Sequence, residues 1–145
     1  VCNGFQILIE SGLLPGALIR NSNIKYICKD VTLTITSNNS LFTRNFAVGD
    51  TLRLPIAHRD GNYFAEEYVL EKLQNEERIA LQYTNEEGVI TSDSNPNGSL
   101  KNIAGILNEE KNILGMMPHP ERLFDAALGG TDGKLFFEGI IKSLS

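Results

Sequence analysis

Apolar residues at Phe5, Ile7, Leu8 and Ile9, followed by Ser11-Gly12, predict a short buried helix that glycine ends. Leu13-Leu14-Pro15-Gly16 then reads as a turn. From Ile24 to Thr36 the apolar positions largely alternate (Ile24, Tyr26, then Val31, Leu33 and Ile35), which predicts a long, interrupted strand with Thr32, Thr34 and Thr36 on its other face. Ser37-Asn38-Asn39-Ser40 is a loop. Leu52 to Ala57 is a second strand, and Pro55 inside it argues for an edge or bulged position, because proline cannot donate to a ladder. Tyr63 to Leu73 sets Phe64, Tyr68 and Leu73 among acidic residues, the pattern of an exposed helix. Ile79–Tyr83, Ile103–Leu107 and Ile113–Met116 are short apolar strands, and Asn95-Pro96-Asn97-Gly98-Ser99 is a dense turn signal. Lys134–Leu144 carries Leu135, Phe136, Ile140, Ile141 and Leu144 on a helical stripe, with Thr131 or Asp132 placed to cap it. Strands alternating with helices predict one α/β domain, or most of one, over residues 1–145.

Composition narrows the function classes. The chain has 145 residues, enough to bury a sizeable core. Its net charge of −5 argues against nucleic acid as the main partner. No apolar run approaches the roughly 18 residues of a membrane span, and no signal peptide is visible. Cys2 and Cys28 are too few for a disulfide framework, and neither lies in a metal-ligand cluster, so reduced cytosolic thiols are the default and no metal site is expected. Alternation with Tyr26 places Cys28 in the core. The chain starts Val-Cys-Asn-Gly without an initiator Met and runs straight into an apolar segment, which suggests truncation of a longer chain.

Three segments carry candidate chemistry. Val1-Cys2-Asn3-Gly4 matches the second half of a Gly-x-Cys-x-Gly elbow, in which the nucleophile sits on a sharp strand-to-helix turn. A helix N-terminus favours the thiolate, and the Asn3 N–H beside it is a natural oxyanion donor. The competing reading of Cys2 is a small buried hydrophobe. His119 stands in Met-Met-Pro-His-Pro-Glu-Arg, where Pro120 keeps it out of helical space. In an extended stretch Glu121 falls on the same side and can orient the ring, as the acidic member of a triad does. The competing reading is a surface turn with a solvated glutamate. His58 ends a strand and opens the Arg59-Asp60-Gly61 loop, where a ligand contact competes with a merely solvated side chain.

Together these segments resemble the class I, triad-type glutamine amidotransferase family, and within it the purine-synthesis branch. The resemblance runs through Cys2-Asn3-Gly4-Phe5-Gln6, Glu10 to Leu18, Asn21, Leu54-Pro55-Ile56-Ala57-His58, Pro96-Asn97-Gly98-Ser99, Ile103 to Ile106, Leu114 to Arg122 and Asp132-Gly133. It implies a flavodoxin-like, three-layer α/β fold. Cys2 would be the nucleophile that attacks the side-chain amide of L-glutamine. His119 would protonate the departing ammonia and then activate water, and Glu121 would orient His119. Gln6 and the wall from His58 to Gly61 would contact the substrate, with Asn3 as oxyanion donor. The resemblance further implies that ammonia passes to a large synthetase subunit, which uses ATP and magnesium to convert formylglycinamide ribonucleotide into its amidine. A small accessory subunit joins the complex, and this chain itself needs no cofactor.

Two departures stand out. The family's His-Gly-Glu-Gly is here His58-Arg59-Asp60-Gly61, so a long cation replaces a permissive glycine. The family also has N-terminal strands and a glycine-rich loop, bearing the second oxyanion donor, ahead of the elbow; these 145 residues match only the C-terminal part. Exposed sheet edges are then expected. Losing one oxyanion donor costs roughly 10²–10³ in rate, so little glutaminase activity is expected of this chain alone. An N-terminal-nucleophile amidohydrolase is a competing class, but Val1 precedes the cysteine and blocks the α-amine mechanism. A non-catalytic assembly module of the same fold is another. The glutaminase of carbamoyl phosphate or GMP synthesis is disfavoured by Met-Met-Pro-His-Pro-Glu-Arg and Pro-Asn-Gly-Ser.

Overall fold

In a computed structural model describing all residues from Val1 to Ser145, five strands form one sheet and two more form a small separate ribbon. In chain order the elements are α1 (Asn3–Glu10), β1 (Ala17–Ile19), β2 (Ile27–Ile35), β3 (Thr51–His58), β4 (Asn62–Phe64), α2 (Glu67–Asn75), β5 (Ile79–Thr84), β6 (Ile103–Leu107), β7 (Leu114–Met116) and α3 (Lys134–Leu144). The large sheet runs β3-β2-β5-β6-β7, and β1 pairs with β4. Every ladder within the chain is antiparallel, unlike a doubly wound parallel sheet.

Pro55 lies on β3, an edge strand, as its missing donor requires. The outward carbonyl is put to use: Pro55 O accepts the backbone N–H of His119 at 2.9 Å. N–H and C=O of one strand residue face the same side, so proline gives up only a donor that β2 could not have met.

The strands feed two apolar clusters. Leu33, Ile35, Leu54, Ile56, Leu81 and Tyr83 pack with Phe46 and with Phe136 of α3. Ile79, Ile103 and Ile106 pack with Phe5 of α1, Leu70 and Leu73 of α2, and Tyr63. Full burial of one such side chain is worth about 1.5–3 kcal/mol, so each helix is held mainly by these few anchors.

Four local expectations need correction. The strand predicted from Ile24 begins only at Ile27, because Ile24 sits in a turn with φ +61° and is exposed. Cys28 is exposed rather than core. The helix expected from Tyr63 starts at Glu67, since Asn62–Phe64 pairs with Ala17–Ile19 and the Tyr63 hydroxyl donates to Pro15 O at 2.8 Å. Neither Thr131 nor Asp132 caps α3 with its side chain. Instead Asp132 Oδ2 accepts the Arg53 N–H, and Gly133 stands so close to Pro120 that a Cβ there would collide with the Pro120 carbonyl. The start of α3 is therefore pressed against the segment bearing His119 and Glu121.

Candidate active site

Three chain segments meet where the candidate residues lie. Cys2 immediately precedes α1, and its N–H donates to Met116 O at the end of β7 at 2.8 Å. Its thiol lies 3.7 Å from Ala57 O near the end of β3. Cys2 adopts φ +50°, ψ −109°, a region that L-residues avoid. Strain of this kind at the start of a helix is what a nucleophile elbow requires. Asn3 opens the first turn of α1, where amide groups have no intrahelical acceptor.

His119 follows β7 by three residues and is anchored to β3 through Pro55 O. Its Nδ1 lies 2.5 Å from Glu121 Oε1. Pro120–Arg122 forms a 3₁₀ turn, so the contact does not come from the extended alternation that the sequence suggested. A carboxylate can only accept, so Nδ1 carries a proton, and in the neutral ring Nε2 then presents its lone pair. Nε2 is buried and has no protein partner. A buried ring nitrogen without a partner is costly in a purely structural site.

Cys2, Asn3, Gln6, His58, Arg59, Asp60, His119 and Arg122 line one cleft of about 540 Å³. Arg59 and Asp60 enter no ion pair there, and Arg59 does not take a positive φ, so the loop does not need glycine's freedom at that position. Gln6 reaches the cleft while its Nε2 donates to Glu10 at 3.0 Å. Gly61 does not line the cleft and lies behind the wall, pressed so close to the His58 ring that a Cβ would collide with it.

His58 is 4% exposed, and both ring nitrogens have partners: Nδ1 donates to Asn21 Oδ1 at 3.1 Å, and Nε2 lies 3.4 Å from the Asn97 amide nitrogen. Burial, with a smaller push from His119, lowers its pKa to about 4 from 6.5. His58 is thus a neutral strut of the wall rather than a proton carrier. The unfolded chain binds a proton on this histidine below about pH 6.5, whereas the folded one does so only near pH 4. Folding stability contributed by a neutral His58 should therefore fall as pH drops through that window. With screening by cleft water allowed for, the change is on the order of 2 kcal/mol. Urea midpoints at pH 7 and pH 4.5 check it: His58→Gln should flatten the difference, and an unchanged slope would refute it.

Sequence reasoning passed over Asn21, Asn97 and Tyr83 as site components. Asn97 was visible as a turn residue and as part of the family resemblance, with no role attached, yet it is fully buried and bonded to Gly61 O, the Tyr83 hydroxyl and Ser99.

Cys2 on its strained turn and His119 with its carboxylate partner thus line one open cleft, a pairing of thiol and imidazole that suits nucleophilic amide chemistry. Residues 1–129 match the CobB/CobQ-like glutamine amidotransferase domain, and the chain belongs to that family. It is 50% identical, over 99% of its length, to phosphoribosylformylglycinamidine synthase subunit PurQ of Novosphingobium aromaticivorans, covering 60% of that relative. It is 54% identical to the subunit of the same name from Chlorobium chlorochromatii, covering 62% of it. A solved structure described as PurLQS from Thermotoga maritima superposes with a TM-score of 0.82 at 42% identity, over 99% of this chain and 59% of that one. The mixed α/β architecture expected from the sequence is that of this glutamine amidotransferase class. The chain thus spans about 60% of the length of the curated relatives it matches. No helix is long and apolar enough to cross a membrane, and no cluster of three or more potential metal ligands is present.

Proposed function

We propose that this chain carries the glutaminase centre of a phosphoribosylformylglycinamidine synthase, hydrolysing L-glutamine and releasing ammonia for amidine formation in purine synthesis. One observation carries the reading: His119 Nε2 is buried, unpartnered and held in one tautomer by Glu121, in the cleft that the Cys2 elbow also lines.

The chemistry follows from these positions. Nε2 accepts the Cys2 thiol proton, and the sulfur attacks the glutamine side-chain carbonyl carbon. The oxyanion forms within reach of the Asn3 N–H at the positive end of α1. Collapse breaks the C–N bond, and the imidazolium returns its proton to the departing nitrogen, which leaves as ammonia. A water then gives a proton to Nε2 and its oxygen to the thioester carbon, releasing glutamate and the thiol. Glu121 stabilises the imidazolium in both halves. Arg59 and Asp60 suit the α-carboxylate and α-ammonium of an amino acid, and Gln6 completes the wall.

On this reading the partners are a large synthetase subunit, which handles ATP and magnesium, and a small accessory subunit, all working in the cytosol. The test is a chloroketone analogue of glutamine applied to the protein with its synthetase partner. Peptide mass spectrometry should show one adduct on Cys2, with the exposed Cys28 as internal control. Labelling of Cys28 alone, or of neither, would sink the proposal and favour a non-catalytic assembly module.

A further inference from the structure

The substrate wall is pinned by one buried residue from outside it. Asn21 is 1% exposed and precedes β2 in the loop after β1. Its N–H donates to Arg59 O at 2.9 Å, and its Nδ2 donates to His58 O at 2.9 Å and to Lys25 O at 2.8 Å. Its Oδ1 accepts from Gly61 N at 3.0 Å and from the His58 ring at 3.1 Å. Four of these five bonds go to the His58–Gly61 turn, and they engage His58, Arg59 and Gly61. The turn has no regular ladder partner of its own beyond His58, where β3 ends, and resumes one only at Asn62. Asn97 secures the far side through Gly61 O.

From this geometry we infer that Asn21 is a positioning residue for the amino-acid head of the substrate. It fixes where Arg59 and Asp60 present their charges to the cleft, and it touches no reacting atom. The inference rests on the glutaminase reading above. A side chain misplaced by about an ångström weakens binding and orientation steeply, and the effect falls on KM when the misplaced group contacts a part of the substrate that does not react.

The test compares wild type with Asn21→Ala, each assembled with the synthetase partner. KM for glutamine should rise about tenfold or more while kcat stays within about threefold. Cys2 modification by the glutamine chloroketone should slow to match, whereas modification by iodoacetamide, which has no amino-acid head, should keep its wild-type rate. A fall in kcat at unchanged KM, equal slowing with both reagents, or wild-type behaviour throughout would overturn the inference. If wild type itself resists the chloroketone, the glutaminase reading falls, and this inference with it. Should Asn21→Ala not fold, amide exchange on the wild type decides. The Gly61 N–H should be strongly protected without ligand, and free exchange there would refute a prearranged wall.

Discussion

In the full-length protein assembled with its synthetase partner, replacement of Cys2 by alanine is expected to reduce glutamine hydrolysis by about 10⁴-fold or more, since no other thiol can reach the cleft. Cys28 is exposed on β2 and does not line the cavity. Glutamine should still bind within a few-fold of wild type, because the wall residues Gln6, Arg59 and Asp60 are untouched. Calorimetric titration measures that binding, and ammonia release measures the rate. The same position offers a second, independent reading. Alanine inherits the strain of φ +50°, ψ −109°, whereas glycine accepts that region freely. Cys2→Gly should therefore be more stable than Cys2→Ala by about 1 kcal/mol in urea unfolding, despite glycine's looser unfolded chain. Equal stability would mean that the elbow holds no strain. Residual hydrolysis near the wild-type rate would remove Cys2 from the chemistry altogether.

The elements that could be read from the sequence were those whose burial pattern repeats over enough residues. Lys134–Leu144 and Ile103–Leu107 have the bounds their apolar pattern indicates. Pro55 narrowed its strand to an edge or bulged position, because a missing donor is a local chemical fact that no packing can override, and the edge is the one found. Ala17–Ile19 and Asn62–Phe64 are only three residues each, too short for a period to register. Their pairing is fixed by Tyr63, whose ring fills the space that a side chain at Gly16 would need. Cys28 misled for a related reason. The apolar alternation changes phase between Tyr26 and Val31, and along the continuous β2 Cys28 shares a face with Asp30 and Thr32 rather than with the buried Ile27, Val31 and Leu33.

The site was partly legible in the same sense. Cys2, His119 and Glu121 stand out as candidates through glycine, proline and carboxylate spacing, which are local. The supporting asparagines do not. Asn21 and Asn97 act through bonds to residues some forty positions away, and nothing in their own neighbourhood distinguishes a buried clamp from a solvated turn. His58 shows the same limit, since its neutrality comes from burial that only the folded chain supplies.

Substitution of His119 by asparagine should give the second large loss, about 10³-fold or more in kcat. Asparagine can occupy the space but can neither accept the thiol proton nor return it to the leaving nitrogen. The buried position makes substitution by solvent inefficient: His119 is 7% exposed, so water enters only through the cleft. Chloroketone labelling of Cys2 should persist but slow, and raising the pH should recover part of it, since the thiolate must then form without help. That pH rescue separates a lost base from a collapsed site. Ammonia release and labelling rate across pH 6–9 read both effects. A variant that hydrolyses glutamine within tenfold of wild type would show that Nε2, although buried and unpartnered, does not carry the proton.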